Sequence, residues 1–117
     1  MTGEFILTLL HAATNTHILH LQSKSYAEHM ALGAFYEALP GLVDTVAESI
    51  QGLNEEIIEY PFDYYKPAST GLEELRSLKD YVSEKRNMLP QNSEIQNSID
   101  SIADLIDSTI YKLKFLK

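Results

Sequence analysis

Apolar residues recur every three or four positions along most of the chain, which is the spacing of amphipathic α-helices. The first periodic stretch runs from about Thr2 to Gln22, and Ser23, Lys24 and Ser25 interrupt it. The residues predicted to face inward are Phe5, Ile6, Leu9, Leu10, Ala13 and Leu21. The pattern therefore predicts a first helix that ends at the serine-containing break.

A second helix is predicted to begin directly after this break. Ser25 and Glu28 form the S-x-x-E pattern of a capping box, in which each side chain pairs with a free backbone N–H. The apolar stripe of this helix consists of Ala31, Phe35, Leu39, Leu42, Val46, Ile50 and Leu53. Pro40 lies inside the stripe and lacks a backbone N–H, so we expect a bend there, or a break into two shorter helices.

Periodicity is absent between Asn54 and Ser69. The aromatic and proline residues of this segment are Tyr60, Pro61, Phe62, Tyr64, Tyr65 and Pro67. Structureless connections of this length are uncommon in compact domains. We therefore expect the aromatic rings to pack down on the helices.

Two further helices complete the pattern. Thr70 and Glu73 form a second capping box, and Pro90 lies at or just beyond the end of the third helix. The inward residues are Leu72, Leu75, Leu78 and Val82 in the third helix and Ile95, Ile99, Ile102, Ile106, Ile110 and Leu113 in the fourth. Two short turns and one long connection predict a single all-α domain over residues 1–117, a ferritin-like four-helix bundle with a long crossover between helices two and three.

Composition narrows the range of functions. The chain has 9 basic and 17 acidic residues, a net charge of −8, which argues against DNA binding as the main function. The C-terminal lysines Lys112, Lys114 and Lys117 are too few to change that balance. Cysteine is absent, which excludes disulfides and thiolate chemistry. The run from Phe5 to Leu10 is too short for a signal peptide or a membrane span, so we expect a cytoplasmic protein with no membrane partner.

Candidate chemistry is concentrated on the first two helices, because all four histidines lie between positions 11 and 29. A helical projection places His29, Asp44 and Glu48 on one face of the second helix, away from its apolar stripe. A solvated polar face is the simplest interpretation of such a pattern. The small residues on or beside this face are Gly33, Pro40, Gly41 and Ala47. These would let a second copy approach, and an antiparallel twofold partner would bring His29 of one chain toward Asp44 and Glu48 of the other.

Imidazole with carboxylate suits Fe, Mn or Zn. The set His17, His29, Asp44 and Glu48, spaced 12, 15 and 4 apart, resembles the ferroxidase motif of the Dps proteins, the small ferritins of starved cells. The segment 16–52, with Asp44-Thr-Val-Ala-Glu48, is similar to the second-helix signature of that family. The resemblance implies an iron site between two subunits, with histidines from one chain and the carboxylate pair from its neighbour. It also implies a homo-oligomer and oxidation of Fe(II) by O₂ or peroxide.

The chain departs from the Dps pattern at specific positions. Gly33 stands where that family has an acidic ligand, and Ile18 stands where it has a tryptophan. His20 and Glu37 are candidate additional ligands that would compensate for Gly33. The alternative function is a non-catalytic helical assembly protein that keeps the ferritin-like fold without metal chemistry.

Overall fold

The apolar stripes form four α-helices in the computed structural model, which describes residues 2–117. Their bounds are α1 Thr2–Gln22, α2 Tyr26–Asn54, α3 Gly71–Lys85 and α4 Ser93–Phe115, and a short 3-10 helix, Arg86–Met88, follows α3. No strand occurs within this described part of the chain. The all-α fold class is therefore confirmed, and the arrangement is compatible with a four-helix bundle.

Each helix lies beside two others. α1 packs on α2 and α3, while α4 packs on α2 and α3 from the other side. The inward residues of all four helices meet in one core, in which Phe5, Phe35, Leu39, Leu75 and Ile99 are among the fully buried side chains. Full burial of each such side chain contributes about 1.5–3 kcal/mol, so this core is the main source of stability.

Ser25 and Thr70 are the N-caps, as predicted, but the reciprocal half of the Ser25–Glu28 capping box is wrong, because the Ser25 N–H donates to Ser23 Oγ at 3.2 Å. The Ser25 hydroxyl accepts a hydrogen bond from the Glu28 N–H, and the Thr70 hydroxyl accepts one from the Glu73 N–H. Each bond satisfies a backbone donor that the first helical turn leaves free.

Several predicted positions are corrected by the structure. The second helix is continuous from Tyr26 to Asn54 with Pro40 inside it, so the predicted alternative of a break into two helices is wrong. Leu10, Leu21 and Leu53 were expected to face inward but are 37%, 68% and 41% exposed. Leu21 and Leu53 lie in the last turns of α1 and α2, whereas Leu10 lies in the middle of α1.

None of the helices in residues 2–117 is long and apolar enough to cross a membrane.

The connection over residues 55–70 follows α1 from one end toward the other. The carbonyl of Glu59 packs against Gly3, where a Cβ atom would overlap the oxygen. Further along, the buried Asn15 donates from Nδ2 to the Tyr65 carbonyl at 3.2 Å and accepts from the Tyr64 hydroxyl at 3.0 Å. Of the aromatic rings expected to pack down, Tyr65 is half-buried, whereas Phe62 is 99% exposed, so the prediction is wrong for Phe62.

Glu74 fixes the last part of this connection to α3. Its carboxylate is buried and accepts from the Tyr65 hydroxyl and from the Ala68 N–H, both at 2.9 Å. Burial, together with the neighbouring Glu74 charge, raises the pKa of Tyr65 well above its usual value. Because a buried carboxylate without partners is costly, these two bonds determine the path of residues 65–68.

Tyr65→Phe removes one of the two donors to Glu74, and we expect the free energy of unfolding at neutral pH to fall by about 1–3 kcal/mol. The matched change Tyr111→Phe, at a 54% exposed tyrosine of α4, should alter it by less than about 0.5 kcal/mol. Urea denaturation of both variants measures the difference. Equal effects in the two variants would contradict a specific role for the Tyr65 hydroxyl.

The raised pKa of Tyr65 also predicts a dependence on alkaline pH. Unfolded Tyr65 ionises near pH 10 while the folded residue stays neutral, so its contribution to stability is complete below about pH 10 and is lost as the pH rises further. We expect wild-type stability to fall more steeply above pH 10 than that of Tyr65→Phe. Denaturation at a series of pH values tests this, and parallel curves would refute it.

Candidate metal centre

The turn between α1 and α2 determines the geometry of the histidine cluster. Only residues 23–25 separate the two helices, so the last turn of α1 faces the first turn of α2. His20 lies two residues before the end of α1, and His29 lies three residues after the start of α2. The short turn therefore places the two imidazoles opposite each other.

His20 and His29 exchange hydrogen bonds with each other's backbone. The His20 Nδ1–H donates to the His29 carbonyl at 2.5 Å, and the His29 Nδ1–H donates to the His20 carbonyl at 2.8 Å. The two rings stack with centroids 3.6 Å apart and planes 17° apart. We call this pair the histidine clasp.

The clasp fixes the tautomer of both rings. A carbonyl oxygen can only accept, so each Nδ1 must carry a proton, and in the neutral ring each Nε2 then holds a free lone pair. Metal-binding histidines commonly show this arrangement, with the second ring nitrogen donating to a backbone carbonyl. However, the lone pairs lie in the ring planes, and the planes are stacked, so a single ion has room for only one ring of the clasp.

His17 lies beside the clasp on the outer surface of α1. Its ring stacks on Tyr36 of α2 with centroids 3.9 Å apart and planes 9° apart, and it remains exposed. The His20 ring lies 6.0 Å from His17 and 5.2 Å from Tyr36. The four rings therefore form one aromatic group that joins the two helices.

Gly33 lies under the His20 ring, which corrects the prediction that it faces outward. It is buried, and a Cβ atom there would lie 3.0 Å from Cε1 and 3.2 Å from Nδ1 of His20. A side chain at position 33 would therefore require the His20 ring to shift by a few tenths of an ångström or more. The structure thus gives a packing reason for the glycine. Ala47 is also buried, so the predicted small outer face loses Gly33 and Ala47 and keeps Gly41.

Asp44 and Glu48 lie on the exposed surface of α2, one turn apart. Asp44 is fifteen residues from His29 along the same helix, which corresponds to about 22 Å. One chain therefore does not bring the predicted histidine and carboxylate ligands together. Within residues 2–117, the structure forms no group of three or more His, Asp or Glu side chains that could hold a metal ion.

Sequence reasoning missed the clasp and the Tyr36 stack. The clasp could have been found from the turn, because His20 and His29 lie at nearly equal distances on either side of it. A helical projection of each helix separately does not show contacts between helices. Four predicted ligands are exposed, and these are His17, Glu37, Asp44 and Glu48. His29 is half-buried in the clasp, and His20 packs on Gly33.

Comparison with known proteins gives a family but no activity. Residues 20–113, about four fifths of the chain, match the model of a family described as a family of unknown function, DUF5856. The chain belongs to this family. No curated protein and no solved structure shows a significant match.

Gly33→Ala should destabilise the protein by about 1–2 kcal/mol, because the added Cβ displaces the His20 ring and weakens its bond to the His29 carbonyl. Gly41→Ala is the control. It lies in the same helix, an added Cβ meets nothing within 4 Å, and alanine should stabilise the monomer by about 0.5–1 kcal/mol.

A double-mutant cycle tests whether contact with the His20 ring causes the destabilisation. In a His20→Ala background the space is free, so Gly33→Ala should no longer destabilise. Thermal or urea unfolding of the four variants measures the coupling. Additive effects of the two changes would show that the His20 ring is not what position 33 accommodates.

Proposed function

We propose that this member of the DUF5856 family forms a homodimer or larger homo-oligomer through the exposed face of the α1–α2 hairpin and binds a divalent metal ion between two copies. Iron is the first candidate, with Mn and Zn as the others. His17 and His29 of one copy would provide imidazole ligands. Asp44 and Glu48 of the second copy would provide carboxylate ligands.

The main support for this proposal is that the Nδ1–H of His29 is already hydrogen-bonded to a backbone carbonyl. Because that proton is donated to the His20 carbonyl, the neutral ring presents Nε2 as a ready ligand atom. The ring needs no rotation or change of tautomer to accept a metal. Its half-buried position also limits the entropy lost when an ion binds.

The carboxylates supply a second argument. The ion pairs within residues 2–117 join Lys79 to Asp107 and Arg86 to Asp100, and neither involves Asp44 or Glu48. Two like charges one turn apart on an exposed helix repel each other by a few tenths of a kcal/mol. A divalent cation held between copies would remove this repulsion.

The surface around the carboxylates supports contact with a second copy. Gly41 lies inside α2 with open space around it, although glycine in a helix interior costs about 1 kcal/mol relative to alanine. Close approach of a helix from a second copy would explain why glycine occupies position 41. Leu10, Ile18 and Leu21 expose apolar surface along the adjoining face of α1.

The finer parts of the proposal are the ferritin-like crossover and the Dps-like ferroxidase. The packing of α1 and α4 each against α2 and α3, with residues 55–70 following α1, supports that topology. Oxidation of bound Fe(II) by O₂ or peroxide would be the reaction, with the exposed Glu37 as a candidate additional ligand and the cytoplasm as the location. The net charge of −8 disfavours DNA as a partner.

A second candidate function is an assembly protein without metal chemistry. The clasp favours it, because hydrogen bonding and stacking give His20 and His29 a structural role that needs no ion. In this alternative the α1–α2 face mediates contact between copies only.

Anaerobic titration of Fe(II) into the apoprotein distinguishes the two. We expect saturable binding in the wild type and at least about tenfold weaker binding in Asp44→Asn/Glu48→Gln, since ligand atoms are lost. The matched control is Asp80→Asn/Glu84→Gln, which changes an exposed Asp and Glu at the same spacing on α3. Admission of oxygen then compares the ferric absorbance with that of a protein-free solution.

The outcomes separate the two functions from each other and from nonspecific binding. The interchain metal site is supported if the double variant on α2 binds Fe(II) more weakly and the double variant on α3 binds it like the wild type. Accelerated oxidation of the bound iron would support the ferroxidase as well. Equal loss in both double variants indicates nonspecific attraction of cations to an acidic surface. A self-associating protein that binds no metal supports the assembly function, and a strict monomer excludes both.

A further inference from the structure

Among the large apolar side chains of residues 2–117, Phe62 is the most exposed, with 99% of its surface accessible. It lies between two anchored points of the connection. The Tyr60 hydroxyl donates to Gln51 Oε1 at 2.9 Å, and the Tyr64 hydroxyl donates to Asn15 Oδ1 at 3.0 Å. Phe62 therefore lies between anchored neighbours, and no residue of the described range 2–117 covers its ring.

A pocket of complementary character opens on the other side of the molecule. It lies between the first turns of α2 and the last turns of α4, has a volume of about 250 Å³, and is lined by Ala27, Met30, Ala31, Lys112 and Leu116. An apolar cavity of about 150 Å³ is sufficient for benzene. The α2–α4 pocket is thus large enough for a phenyl ring.

A chain cannot fill this pocket with its own Phe62. The connection is bonded to Asn15 of α1 and Glu74 of α3, so it lies on the α1–α3 side. The pocket lies on the α2–α4 side. A contact between Phe62 and this pocket therefore joins two copies through different surfaces, which is a heterologous contact.

Charge favours the same pairing. The acidic residues of segment 55–70 are Glu55, Glu56, Glu59 and Asp63, and Lys66 is its only basic residue. The last turn of α4 carries Lys112 and Lys114, and Lys112 lines the pocket. No ion pair within residues 2–117 involves Lys112. Docking would bring opposite charges together around the apolar contact.

We propose that Phe62 of one copy inserts into the α2–α4 pocket of a second copy. This contact does not require a metal ion. Its pocket adjoins the α2 surface proposed for the metal site, since Met30 directly follows His29, whereas Phe62 lies outside that surface and distinguishes the two contacts. Because it is heterologous, it builds a closed ring or shell if the rotation between copies closes, and an open chain if it does not.

The test measures self-association of the full chain by analytical ultracentrifugation in the presence of a chelator. We expect Phe62→Ser and Met30→Glu each to weaken association at least about tenfold, the factor that 1.4 kcal/mol represents. Met88→Ser, at a 56% exposed apolar side chain beyond α3, is the control and should leave association unchanged. Circular dichroism checks that each variant is folded.

A mixing experiment identifies the partner surface. A Phe62→Ser chain keeps an intact pocket, and a Met30→Glu chain keeps Phe62, so the mixture should form a complex that neither variant forms alone. A mixture that stays dissociated would overturn the pairing. The pairing would also be overturned if Phe62→Ser left the association of the wild type intact, or if Phe62→Ser abolished it and Met30→Glu did not. A wild type that is monomeric at every concentration would overturn it as well.

Discussion

The hydrogen bonds that His20 and His29 exchange across the first turn determine the structure of the candidate site. The last turn of a helix leaves backbone carbonyls without an i→i+4 partner, and the His20 carbonyl of α1 accepts a long bond of 3.4 Å from the Ser23 N–H. The His29 ring donates a shorter bond of 2.8 Å to the same oxygen, and the His20 ring bonds in return to the His29 carbonyl of α2. This reciprocity brings the His20 ring over Gly33, where an added Cβ would lie 3.0 Å from the ring. A glycine at position 33 thus fits the way the hairpin is closed.

The path of the long connection over residues 55–70 is likewise determined by polar groups that need hydrogen-bond partners. Asn15 and Glu74 are buried polar side chains, and each is fully engaged with the connection. Leaving either unpaired would cost about 1–3 kcal/mol or more, so the chain between them has little freedom. Phe62 lies just before these contacts, between Tyr60, which bonds to Gln51, and Tyr64, which bonds to Asn15. It has no polar group that could bond to the helices, and its ring is exposed.

The sequence predicted the helices and caps well because these depend on local spacing. Ser25 and Thr70 cap as expected, and Ile95, Ile99, Ile102 and Ile106 are buried. The errors occur at positions whose burial depends on a neighbouring helix. Periodicity shows which side of α1 is apolar, but not that its neighbours fail to cover Leu10 and Leu21.

The candidate site shows the same limit. A projection of α2 placed Gly33 beside His29 on the outer face, because it contained no information about α1. The His20 side chain reaches across from α1 and covers that position. Asn15 and Glu74 were missed for a related reason, since their partners are far along the chain and a polar residue inside a helix carries no local signal of burial.

The carboxylates, more than the histidines, decide between the two proposed functions. His20 and His29 have structural roles in the clasp, whereas no contact within residues 2–117 explains Asp44 and Glu48. The metal proposal therefore depends on a second copy. An antiparallel twofold that brings His29 to Asp44 of the partner must cross α2 about midway between them, near residues 36 and 37.

The exposed residues around that crossing are suited to helix contact. Ala34, Ala38 and Gly41 are small and exposed, so two α2 helices could approach closely there. Glu37 would then lie near the axis and face its own counterpart. Two carboxylates in that position repel each other unless a cation or a proton lies between them. The proposed interface would thus bring a third acidic residue, Glu37, next to the metal site. Its place near the twofold axis is a stronger reason to consider it a ligand than its spacing in the sequence.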